Sequence, residues 1–164
     1  MRDDNRPGAS RTDYAGAVYG SLLAASVVAA AGTLGQFPRL QLILMLIITG
    51  LVFWAAHVYA HLVGERLVGQ SWTWREVRRV AGHEWSIVEA AALPAAAVAV
   101  SPVLGLSVNS AGWLALGIAV FQQVLWASLG AARAGATRGL VIAEGAVNLV
   151  LGLVIVAAKA ALGH

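Results

Sequence analysis

His57 and His61 stand four residues apart in the run VFWAAHVYAHLVG, so on a helix both imidazoles project from one face. Glu144 and Asn148 have the same spacing in a second apolar run, and Glu89, Gln122 and Gln123 lie inside two others. Two imidazoles on one helix, completed by carboxylates from its neighbours, can hold zinc, iron or manganese. On that reading His57, His61, Glu89 and Glu144 are the metal ligands, and the implied cofactor is a divalent transition metal. The same groups can also relay protons, because imidazole titrates near neutrality and burial moves carboxylates toward that range. A proton or cation site would then comprise His57, His61, Glu89, Glu144, Gln122, Gln123 and Asn148. A third reading gives these groups no chemistry: their hydrogen bonds lock helices together.

Several chemistries are excluded. Residue 58 is valine, so the two histidines lack the glutamate that marks helical zinc proteases. Bis-histidine haem needs ligands on opposing helices, whereas His57 and His61 share one. The chain contains no cysteine, which removes disulfides, thiolate metal sites and thiol nucleophiles. It also has no phosphate-binding glycine loop and no GxSxG, and its loops are too short for a catalytic domain. An enzyme would have to work at a membrane face.

The elements that carry these residues are long and apolar. Of the 164 residues, 59% are hydrophobic and only 12% charged, and the mean hydropathy is +0.75. A water-soluble fold of this length cannot enclose that much apolar surface. Five runs of roughly 20 residues are each long enough to cross a hydrocarbon core of about 30 Å. They lie near residues 14–34, 40–63, 85–104, 111–131 and 139–161. The predicted fold is therefore all-α: a polytopic bundle of five transmembrane helices over residues 14–164, preceded by a cytoplasmic tail over 1–13. The lipid bilayer is its partner.

Between the second and third runs, ERLVGQSWTWREVRRVAGHE predicts a short amphipathic helix near 72–83, with Ser71 or Thr73 as its N-cap. Tryptophans beside Arg75, Arg78 and Arg79 suit a helix lying in the headgroup layer.

The cations set the expected orientation. With the N-terminus inside, cytoplasmic segments hold Arg2, Arg6, Arg11, Arg66, Arg75, Arg78, Arg79, Arg133 and Arg138, and external ones only Arg39 and Lys159. Nine of the 11 cations fall on the cytoplasmic side, which predicts a cytoplasmic N-terminus and an external C-terminus. The net charge of +3 is thus an orientation signal and not a nucleic-acid footprint. The first run could also be read as a signal sequence cleaved near Ala29–Ala31, but it exceeds the usual length of one.

In this topology the polar residues share one depth. At about 1.5 Å per residue, His61 lies roughly 4 Å below the cytoplasmic boundary, and Glu89 and Glu144 about 6–8 Å. His57 follows at about 10 Å, with Gln122, Gln123 and Asn148 at about 12–14 Å. No comparable layer is expected in the outer leaflet. Pro94 frees one backbone carbonyl beyond Glu89 and can kink that span.

Gly16, Gly20 and Ala24 repeat every four residues in the first run, a spacing that lets helix backbones approach. This is either a seam for a homo-oligomer or a packing face inside the bundle. A faint repeat pairs Val52-Phe53 with Val120-Phe121, each followed by a span bearing a glutamate near its start.

The runs VFWAAHVYAHLVGERL and WTWREVRRVAGHEWSIVEAA resemble those of small integral membrane proteins from high-GC actinobacteria, a group with no established activity. The resemblance implies a plasma-membrane location and no mechanism. The favoured expectation for function is transport of a proton or small cation through the cytoplasmic-side His/Glu cluster. The alternatives are a structural or accessory membrane protein and a metal-dependent membrane enzyme.

Overall fold

The computed structural model describes residues 13–31, 39–64 and 72–162, all within or joining six helices. These are α1 (Tyr14–Ala31), α2 (Arg39–Gly64), α3 (Trp74–His83), α4 (Ser86–Val100), α5 (Val108–Arg133) and α6 (Arg138–Leu162). Residues 1–12 of the expected tail, and residues 32–34 of the first expected span, lie outside the described residues.

The local sequence explains where the helices start and stop. Thr73 caps α3 by accepting from the backbone N–H of Glu76, and Ser107 caps α5 by accepting from that of Ser110. The end of α5 is a Schellman turn: Gly135 N–H donates to Ala132 and Ala136 N–H to Ala131. That turn needs a left-handed residue, and Gly135 takes φ 80°.

Four helices, α1, α2, α5 and α6, are long and apolar enough to cross a membrane. The third expected span, near 85–104, holds a shorter helix. α4 has 15 residues, about 22 Å of helix. Its ladder stops because Pro102 has no N–H to donate. The chain then turns through residues 101–105 and closes on Gly105, where Leu106 N–H reaches the carbonyl of Ser101.

α1 occupies the middle of the bundle, against α5, α4, α2 and α6, while α3 lies against α2. The core is built from small side chains. Ala24, Ala25 and Val28 meet Leu42 and Leu46 of α2, Ala95 and Val98 of α4, and Ala115, Leu116, Ala119 and Val120 of α5. Large apolar residues point outward instead, as Ile142, Val150 and Val154 do on α6. Only 17% of the α6 window is buried, so most of that helix presents hydrocarbon to its surroundings, as lipid-facing helices do.

Gly16, Gly20 and Ala24 face inward. A Cβ on Gly20 would lie 2.8 Å from the Ile87 carbonyl oxygen and 2.9 Å from the Ala90 methyl. The spacing that could have been an oligomer seam is thus filled by α4 of the same chain.

Candidate functional site

Six of the seven polar residues expected to form one layer divide into two groups, with α1 between them. The first group joins α2 to the α3–α4 corner. His61 Nδ1 lies 3.2 Å from Oε1 of Glu84, which is buried at the corner between the two helices. Trp54 Nε1 donates to the Ala81 carbonyl at 2.9 Å, and its ring meets Trp85 edge-on at 5.5 Å. Val58, Leu62 and Val80 pack beneath them. α3 is therefore held against α2 by its apolar side, leaving Arg75 and Arg78 exposed.

His57 belongs to the same side. Its Nδ1 is 3.0 Å from the Phe53 carbonyl, which can only accept, so Nδ1 carries the proton. The imidazole packs against the Tyr19 ring at 4.9 Å.

The second group joins α5 to α6. Gln123 Nε2 donates to Asn148 at both the side-chain oxygen (3.2 Å) and the backbone oxygen (3.3 Å). Asn148 Nδ2 in turn donates to the Glu144 carbonyl at 3.0 Å. Close backbone approach makes these bonds reachable: Gly145 faces Ser128, and Gly152 leaves the space that Val120 fills. The Oε1 atoms of Gln122 and Gln123 are buried with no hydrogen-bond partner among the described residues.

Beside this pair lies a groove of about 470 Å³ between α1, α5 and α6. Tyr14, Tyr19 and Trp126 form aromatic walls, Leu22 and Leu151 its apolar depth, and Gln123, Asn148 and Glu144 its polar side. Tyr14 and Trp126 are in ring contact at 6.0 Å. Tyr19 forms a partition, with His57 on one side and the groove on the other. The Glu144 carboxylate makes no hydrogen bond or ion pair with any described residue.

Glu89 joins neither group. It sits in the first turn of α4, where a carboxylate is favoured by the helix dipole, and it is exposed on the outward side that also carries Leu93. His57, His61, Glu89 and Glu144 consequently do not gather. Among the described residues no three His, Asp or Glu side chains group as a metal site. The shared depth was a property of sequence spacing, and the rotation of each helix sends the groups apart. The faint repeat separates likewise, since Val52 is exposed whereas Val120 is buried against Gly152.

Polar contacts also occur at the opposite end of the bundle, where none were expected. Arg39 Nε donates to Ser101 Oγ at 2.9 Å, and its Nη2 donates to the Leu106 carbonyl. The Lys159 ammonium is buried, donates to the Val28 carbonyl at 3.2 Å and lies 5.5 Å from the Trp113 ring centre. Sequence reasoning counted both cations only as loop charges. Lys159 had a visible signal, because Gly145, Asn148, Gly152 and Lys159 recur at helical spacing on the inward side of α6. Glu84 had none, since only the α3–α4 corner turns it toward His61.

The fold and these contacts define an all-helical protein with four helices suited to crossing a membrane. No protein-family model matches the chain, and no curated protein or solved structure matches it either. The resemblance of its two tryptophan-containing runs to actinobacterial membrane proteins therefore carries no family assignment.

Proposed function

We propose that this is a five-span plasma-membrane protein that takes up a proton or small cation from the cytoplasmic side at Glu144. The observation that carries the reading is the Glu144 carboxylate, exposed on an apolar helix and lining the groove, with no hydrogen-bond or ion-pair partner among the described residues. Ionisable groups in spanning helices cost about 2.5–3.5 kcal/mol or more at mid-membrane and persist where they act. α4, extended by its closing turn to Leu104, serves as the fifth span. The nine-to-two cation bias supports a cytoplasmic N-terminus, and with that orientation the groove would lie in the inner leaflet. Beyond Asn148, Val120 packed on Gly152 closes the α5–α6 seam, so passage to the outside requires those helices to part. Flux measured in proteoliposomes tests the reading. Glu144→Gln is expected to abolish pH-dependent cation movement, and undiminished flux would sink the transport role.

A second reading, an accessory membrane protein without transport, is favoured by a different observation. His57, Gln123 and Asn148 all spend hydrogen bonds inside the bundle, and His61 pairs with Glu84. It predicts that substitutions at these positions change thermal stability while no flux exists to be lost.

A further inference from the structure

We infer that the groove at Glu144 binds an organic ammonium ion with an apolar body, in preference to a bare metal ion. The inference rests on the proposed cation site and names the class of cation. Size is the first argument. The groove holds about 470 Å³, within the range of about 300–1,000 Å³ typical of small-molecule sites, and far more than a desolvated ion fills. Ligand supply is the second. A divalent metal needs several oxygen or nitrogen ligands, and Glu144 belongs to no group of three His, Asp or Glu side chains among the described residues.

An alkylammonium needs less and finds it here. One carboxylate balances its charge. The Tyr14 and Trp126 rings, in contact at 6.0 Å, supply faces that attract a cation. Gln123 lines the groove as a polar neighbour of the carboxylate. The Glu144 carboxylate accepts a hydrogen bond from an N–H of a primary amine, which a quaternary ammonium lacks. The polarity gradient fits the rest of the ligand. Glu144 lies about 9 Å along α6 from Arg138, with Leu151 about 10 Å beyond it. The ammonium would lie nearer the cytoplasmic face, with the apolar body running toward Leu22 and Leu151.

The test uses the full chain in nanodiscs with 2-phenylethylammonium as probe. Saturable quenching of tryptophan fluorescence is expected, weakened about tenfold or more in Glu144→Gln by loss of a charge-assisted hydrogen bond. The neutral analogue 2-phenylethanol should not compete, and the trimethylated cation should bind more weakly than the primary amine. Labelling of carboxylates by a hydrophobic carbodiimide gives a readout that needs no variant: the probe should protect Glu144, which lines the groove, and leave Glu89, which lies outside it, unprotected. Equal binding of the neutral analogue, or equal labelling of Glu144 with and without the probe, overturns the inference. The two proposals fail separately. Amine binding without flux refutes transport alone, and proton or metal-ion flux without amine binding refutes the ligand alone.

Discussion

Lys159 of α6 donates to the carbonyl of Val28 at 3.2 Å, placing a buried ammonium on the last turn of α1. The final four carbonyls of a helix lack intrahelical partners and carry its negative dipole end, so this lysine caps a helix it does not belong to. The Trp113 ring lies beside it, and no carboxylate is paired with it among the described residues.

Removing that cap leaves a carbonyl unsatisfied in an apolar interior. Lys159→Met is expected to lower stability by about 1–2 kcal/mol, measured by equilibrium unfolding in mixed micelles. Lys159→Arg keeps a donor and should cost less. A methionine variant as stable as the parent would mean that Val28 finds another donor.

Gln123 and Asn148 hold α6 to α5, and α6 has few other buried residues. Interhelical hydrogen bonds in membranes average about 0.6 kcal/mol and reach about 1.7. Gln123→Leu should therefore destabilise by roughly 1 kcal/mol, as it also strands the Asn148 oxygen. Hydrogen exchange should rise in α6 more than in α2, which discriminates local loosening from global loss.

Gly20 sits where any side chain meets the α4 backbone. Gly20→Val should cost about 2–3 kcal/mol by overpacking and leave the oligomeric state unchanged, read by light scattering in detergent. A change of oligomeric state without loss of stability would return this face to an intermolecular role.

The Trp54 indole donates to Ala81 in the last turn of α3. Trp54→Phe keeps most of the apolar contact and removes the donor, so a loss of about 1 kcal/mol is expected. The local sign should be faster trypsin cleavage after Arg75 and Arg78, with the remaining helices as resistant as before.

The helices were largely legible in the residue order. Apolar runs between arginines and turn signals locate α1, α2, α5 and α6, and Thr73 with Glu76 marks α3. The third expected run continues past the end of the α4 helix because hydropathy does not register the donor that Pro102 lacks. The site was less legible. Gln123 and Asn148 were recognisable as polar residues at one depth, and Glu144 as an out-of-place carboxylate, but nothing in their spacing separated them from Glu89.

Sequence alone thus determined which segments become apolar helices, because that depends on each segment's transfer from water and on backbone satisfaction within the segment. Tertiary structure decided which way each helix turns its polar residues. Rotation about a helix axis leaves the segment's own hydrogen bonds intact, so its preference comes only from neighbours: Ile87 against Gly20, Val120 against Gly152, Asn148 against Gln123. Those contacts put Tyr19 between His57 and the groove. They turn Glu84 to His61 while leaving Glu144 beside open space, as no residue can specify from its own position in the chain.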